Sequence, residues 1–243
     1  MKNDLIVASS PKALISEGFR TLRTNLQFST IDGKLKTIAV VSSMQGEGKS
    51  FVSANLACAF AQAGEKVLLV DCDMRRGRLH KIFNMPNDAG YSNLLISDTR
   101  DYDAYIKRTE IKNLSLLTMG SVPPNPAELI ASAKNERLLE IFKEKYDIII
   151  YDCVPVTGLT DSLIMSKLVD KTIIVAAAKS TPLELLQNTK KSLLNVGANI
   201  AGVVFNRVET EGSVYANKYY GKYYSWLIFI LIFYMVLMME LKL

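Results

Sequence analysis

A chain of 243 residues that is 49% hydrophobic can bury one large core or two small ones. Its net charge of +5 and pI near 9.0 suit an acidic partner such as a nucleotide or anionic headgroups without selecting among them. Three cysteines, Cys58, Cys72 and Cys153, match no metal-site spacing and fall in core helix or strand-end positions, as reduced thiols do. The opening MKNDLIVASSPK holds too short an apolar run for a secretory signal, so export by a cleaved signal is not expected.

The first expected element is a helix over about 11–29, with Leu14, Phe19, Leu22 and Leu26 near helical spacing. That spacing leaves Glu17, Arg20 and Arg23 on a different surface, and a solvated charged face is their plain reading. Runs rich in Val and Ile then recur at 37–42, 67–71, 114–118, 147–152, 171–177 and 200–205. Between them lie helix-length segments: Lys49 to Ala63 stopping at Gly64, Asn135 to Lys145 with apolar Leu138, Leu139 and Phe142, and Leu183 to Val196 stopping at Gly197. The alternation predicts an α/β fold, a mostly parallel sheet with helices on both faces, in a single domain at 1–207. A tyrosine-rich tail at 208–225 and an apolar extension at 226–243 follow it.

Between the first strand and its helix stands Ser43-Met44-Gln45-Gly46-Glu47-Gly48-Lys49-Ser50. A phosphate-binding loop needs this setting: backbone N–H groups form a nest, the helix N-terminus adds positive potential, a lysine bridges phosphate oxygens and a serine meets Mg²⁺. Ser43 stands where the usual pattern has glycine, so the loop alone could also be a plain turn. Two carboxylate segments strengthen the phosphate reading. Asp71 and Asp73 end the second strand, and Asp152, followed by Pro155, ends the fourth run. Each alone could cap a helix or form a turn. Together they put carboxylates in the crevice beside the loop, where Mg²⁺ needs only one or two acidic contacts.

This combination resembles the bacterial tyrosine kinases of capsule and exopolysaccharide synthesis, which use P-loop machinery. The resemblance covers about 10–224. Its motifs here are GEGKS at 46–50, LLVDCDMRR at 68–76, PPNPAEL at 123–129, IIIYDCVP at 148–155, Glu17-x-x-Arg20-x-x-Arg23, and the tyrosines of the tail. It implies a P-loop NTPase-like fold, ATP and Mg²⁺ as cofactors, and autophosphorylation of Tyr215, Tyr219, Tyr220, Tyr223 and Tyr224. Gly46, Glu47, Gly48, Lys49, Ser50 and Phe51 would contact the nucleotide, and Asn206 would read the purine edge. Ser50, Asp71 and Asp152 would hold magnesium; Lys49, Asp71, Asp73 and Asp152 would be catalytic, with Asp71 as the base for a tyrosine whose pKa is near 10.

The same resemblance implies a ring homo-oligomer in which Glu17 of one subunit meets arginines of the next. It further implies a membrane-bound polysaccharide co-polymerase or adaptor as partner, a counteracting tyrosine phosphatase, no nucleic acid, and a cytoplasmic site peripheral at the inner membrane face. The alternative is a non-kinase regulatory ATPase switch of the partitioning or division-site type. Such ATPases carry another lysine at the second loop position, where this chain has Met44, and the tyrosine cluster also speaks for the kinase. Gln45 stands where the kinases usually have proline. Arg75, Arg76 and Arg78 could meet phosphate or simply be solvated, and His80 is expected to pack or lie on a helix surface.

The tail ends differently from such kinases. Trp226 to Met239 is uncharged, and as a helix those fourteen residues would span about 21 Å, short of the roughly 20 residues that cross a bilayer. Spanning is therefore disfavoured, and the segment beside Lys218 and Lys222 could instead sit in an anionic interface, pack on a membrane partner or reflect a shifted reading frame.

Overall fold

The computed structural model describes residues 4–30 and 34–208. The tyrosine cluster and the apolar extension lie outside those residues. Within them the chain opens with a single turn, α1 (Ile6–Ser9), and then α2 (Leu14–Phe28). Ile15, Phe19, Leu22 and Leu26 form the buried stripe of α2, at steps of four, three and four. Leu14, expected in that stripe, is only half-buried: it sits one position, about 100°, off the line that Ile15 completes.

Among the described residues, six of the seven strands run parallel. Their order across the sheet is β3-β4-β2-β5-β1-β6-β7, with β1 (Thr37–Ser42), β2 (Val67–Asp71), β3 (Lys107–Arg108), β4 (Leu114–Leu117), β5 (Ile148–Pro155), β6 (Lys171–Ala177) and β7 (Ile200–Asn206). Only the short β3 is antiparallel; it pairs with β4 at the edge and was not foreseen, since two polar residues carry no strand periodicity. β5 continues three residues past Asp152.

The central strands are buried on both faces, so their apolar residues divide by alternation. Ile38, Val40, Val67, Leu69, Ile148 and Ile150 join the core under α2 and α3 (Lys49–Gln62). Ala39, Val41, Leu68, Val70, Ile149 and Tyr151 join the opposite core, with Leu138, Leu139 and Phe142 of α7 (Ala133–Lys145) and Leu193 of α9 (Leu183–Asn195). Shorter helices complete the layers: α4 (Leu79–Ile82), α5 (Tyr91–Ile96), α6 (Pro126–Ile130) and α8 (Asp161–Leu168).

α3 is the central helix. Alanine and other small residues let it lie close to the sheet, to α2 and to the N-terminal segment. Asn55, fully buried, accepts from Val7 N–H at 3.0 Å and donates to the carbonyls of Asp4 and Phe51 at 2.7 and 2.9 Å, strapping residues 4–7 across the helix. Cys58, Cys72 and Cys153 are free and buried, and burial pushes the Cys58 thiol up to about 12. No helix among the described residues is long and apolar enough to cross a membrane.

Candidate active site

Parallel strands direct their C-terminal ends to one crest, and there β1, β2, β5 and β7 deliver the chemically active residues. The loop after β1 wraps into the N-terminus of α3 through Gly48 at φ +96°. A side chain at Gly48 is excluded twice: φ lies in the left-handed region, and a Cβ would stand 1.9 Å from Asn206 Nδ2. Lys49, the first residue of α3, is 7% exposed and lines the cleft with Ser50 and Phe51. The cleft encloses about 880 Å³, within the size range of small-molecule sites.

Side chains from distant segments hold the loop in shape. Ser42 donates to Met44 O at 2.7 Å, Thr189 to Ser43 Oγ at 2.9 Å, and Arg207 to Gly46 O at 2.7 Å. Arg76 donates to Gln45 Oε1 at 2.8 Å, so the position that lacks proline is restrained by a side-chain bond instead. Glu47 turns inward, accepting from Met44 N–H at 2.7 Å and from the Thr181 hydroxyl. Its carboxylate braces the loop; only its backbone is available to a phosphate. Thr181 and Arg207 were missed from the sequence. Arg207 directly follows the strand-end Asn206, a position that could have signalled it, whereas Thr181 carries no motif.

Asn206 also braces the loop. Its amide donates to Glu47 O and accepts from Arg207 N–H, both at 2.9 Å, so both ends are engaged with backbone and tie β7 to the loop. Phe51 packs edge-tilted against Phe19 of α2, ring centroids 6.0 Å apart, which couples the first turn of α3 to α2.

The three carboxylates are neighbours of unequal exposure. Asp71 and Asp152 are paired residues on adjacent strands β2 and β5, and both are essentially fully buried. Asp152 Oδ1 accepts from Ser53 at 3.1 Å, and its Oδ2 has no partner. Burial pushes the Asp152 carboxyl up to about 6, against the opposing pull of the Lys49 ammonium and the Ser50 and Ser53 hydroxyls. Asp71 Oδ2 accepts from Leu79 N–H at 3.0 Å while Oδ1 has no partner. Burial first, and then the Asp152 charge, raise Asp71 well above the ordinary carboxylate range.

Neither Asp152 nor Asp71 is among the residues lining the cleft, and Asp71 lies behind its wall. Gly77 closes over it so tightly that a Cβ there would stand 2.7 Å from Oδ2. Asp73 does line the cleft, its Oδ1 accepting from Arg75 and Arg76 N–H at 3.2 and 2.8 Å. Arg75 is not free for phosphate: it pairs at 3.0 Å with the buried Asp161 at the start of α8. His80 is half-buried with Nδ1 unpartnered, and burial, followed by the Lys81 and Lys107 charges, lowers its pKa.

On α2, Glu17 is exposed and paired with Arg20 of the same chain, and Arg20 also donates to Pro11 O at 2.7 Å. Arg23 leaves that surface: its Nη1 donates to Ala59 O of α3 at 3.1 Å, and its Nε is buried.

A glycine-built loop at a helix start, a buried lysine and carboxylates toward the C-terminal side of a parallel sheet define a P-loop nucleotide-phosphate protein. The AAA domain family profile matches residues 35–200. The tyrosine-protein kinase YwqD of Bacillus subtilis is 34% identical over 206 residues, 85% of this chain and 86% of that one. The crystal structure of the chimerical protein CapA2B2 superposes with TM-score 0.81 at 40% identity, covering 84% of this chain and 90% of that one. The kinase domain of Escherichia coli ETK gives TM-score 0.82 at 29% identity, over 90% and 84%. The chain belongs to the P-loop tyrosine-protein kinases of bacterial capsule and exopolysaccharide loci.

Proposed function

We propose that the chain moves the γ-phosphoryl group of ATP to tyrosine hydroxyls, those at 215, 219, 220, 223 and 224 among them, and thereby regulates capsular or exopolysaccharide synthesis. The observation that carries the reading is the juxtaposition of Lys49 with the register pair Asp71 and Asp152 at the foot of a glycine-built loop. A magnesium ion fits that set. Two buried carboxylate oxygens are unpartnered, and no larger acidic cage exists among the described residues, which suits an ion that keeps most of its waters. Ser50 and Asp152 would hold it, with Asp71 behind them, and when bound it would supply charge neutralisation at the phosphate oxygens.

The chain's own groups do the rest. Loop amides and Lys49 bind and orient the phosphates, and positioning with electrostatic stabilisation is most of what phosphoryl transfer requires. The tyrosine proton passes to the acidic turn after β2, where Asp73 lines the cleft within reach of an acceptor and Asp71 lies behind it. Assembly as a ring, a membrane-bound adaptor, a counteracting phosphatase and a position at the inner membrane face belong to the same proposal. So do the boundaries at 207 and 225.

The test is to incubate the full chain with ATP and Mg²⁺, with and without a candidate membrane adaptor, and probe for phosphotyrosine. The expected result is phosphotyrosine that disappears in Lys49→Met. Phosphate release with no phosphotyrosine under either condition would establish the ATPase switch instead.

A further inference from the structure

The cleft holds more positive charge than a nucleotide site uses. Six basic and two acidic side chains line it. Lys49 belongs to the loop, Arg75 is matched by Asp161, and Arg76 and Arg207 hold the loop itself. Arg78 and Lys81 are left. Both are exposed, both line the cleft, and neither side chain has a hydrogen-bond or ion-pair partner among the described residues. Arg78 precedes α4 and Lys81 is its third residue, and both line the same stretch of the cleft after β2. Two cations without counter-charges on one cleft wall favour an anion there, and a dianion more than a monoanion.

Their place in the cleft narrows the ligand. They follow β2, whereas Asn206 and Arg207 follow β7, and β1 with its loop stands between. The pair is therefore on the side away from the expected purine end, where an acceptor would approach the terminal phosphate. A phosphate monoester carries about −1.5 to −2 charges near neutral pH. The monoester that a tyrosine kinase makes is phosphotyrosine. The tail presents its tyrosines as adjacent pairs, Tyr219-Tyr220 and Tyr223-Tyr224, each preceded by a lysine.

We propose that Arg78 and Lys81 form a subsite for the phosphate of an already phosphorylated tail tyrosine, which holds the segment while a neighbouring tyrosine receives the next phosphoryl group. The inference rests on the tyrosine-kinase reading. Each transfer breaks the bond from the γ-phosphorus to the bridging oxygen of ATP, forms one to the tyrosine oxygen, and leaves ADP and a proton. The unmodified tail, carrying Lys218 and Lys222, is repelled by the same two cations, with Asp4 on the cleft lining a partial offset. The first phosphate reverses the sign of that interaction. Phosphorylation of the cluster then runs on within a chain instead of scattering across chains.

Peptides of residues 213–224, unmodified, with phosphotyrosine at 220, or with glutamate at 220, are titrated into the full chain with Mg²⁺ and ADP. The phosphopeptide is expected to bind at least tenfold tighter than either other peptide, and Arg78→Gln with Lys81→Gln to remove that preference at an unchanged melting temperature. In a time course read by intact mass, the wild type accumulates multiply phosphorylated chains beyond the independent-site distribution, and the double variant returns to it. Equal binding of the phosphorylated and unmodified peptides, equal binding of the glutamate peptide, or a preference that survives the double substitution overturns the subsite. A chain that forms no phosphotyrosine at all refutes the kinase reading, while the peptide titration still decides the subsite.

Discussion

At the scale of single residues the site trades stability for chemistry. Asp152 is buried with one oxygen unpartnered, and its carboxyl is held at about 6 in the folded chain against about 3.9 unfolded. The fold therefore binds that proton more tightly than the unfolded chain does. Its contribution to stability is complete below about pH 4 and is lost as pH rises to about 6. In metal-free buffer, Asp152→Asn is expected to remove that loss and to leave the variant more stable than wild type at pH 7, by on the order of 2–3 kcal/mol. Denaturant titrations at pH 4, 6 and 7 check the sign; a difference independent of pH defeats it. Phosphotyrosine formation should fall at least tenfold in the same variant. Lys49, Ser50 and Asp71 were legible as residue types at strand and helix ends, and Asp152 as a carboxylate in an apolar run, although β5 continues past it to Pro155. Which carboxylate faces the cleft was not, because exposure depends on Gly77, six residues downstream, folding back over Asp71.

At the scale of elements, α3 links the loop to α2 and to the N-terminal segment. Asn55 carries three hydrogen bonds inside the core, to Val7, Asp4 and Phe51, and Phe51 in turn leans on Phe19. Asn55→Ala leaves the Val7 N–H and the Asp4 carbonyl unsatisfied, at an expected cost of about 1–3 kcal/mol. Faster proteolysis within residues 4–10, with a lowered melting temperature, is the readout; wild-type protection there refutes the strap. The helix and its strands were visible in the periodicity, since central strands buried on both faces read as unbroken apolar runs. The strap was not, because a lone asparagine inside an alanine-rich helix carries no local signal of what it binds. Leu14 shows the limit of spacing in the same way: both Leu14 and Ile15 fit near helical steps, and only packing against α3 selects Ile15.

At the scale of the whole molecule, α2 presents two behaviours. Glu17 and Arg20 lie outward, paired with each other, and are available to a neighbouring chain; Arg23 is anchored to α3. In the proposed ring, Glu17→Ala with Arg20→Ala is expected to disperse the assembly while leaving Mg·ADP binding intact, and an unchanged sedimentation profile would refute it. The parallel sheet and the phosphate loop were determined by the sequence alone, because strand alternation, glycine placement and a lysine at a helix start are local features of the chain; the kinase class came from the resemblance of the whole motif set to that family. Tertiary structure alone decided the rest: that Asp71 is sealed and Asp73 open, that Asn206 and Glu47 brace the loop, that Arg75 is neutralised while Arg78 and Lys81 are not. Those outcomes depend on contacts between segments up to 159 residues apart, and the free energy of a buried or paired charge is set by such neighbours, not by its place in the chain.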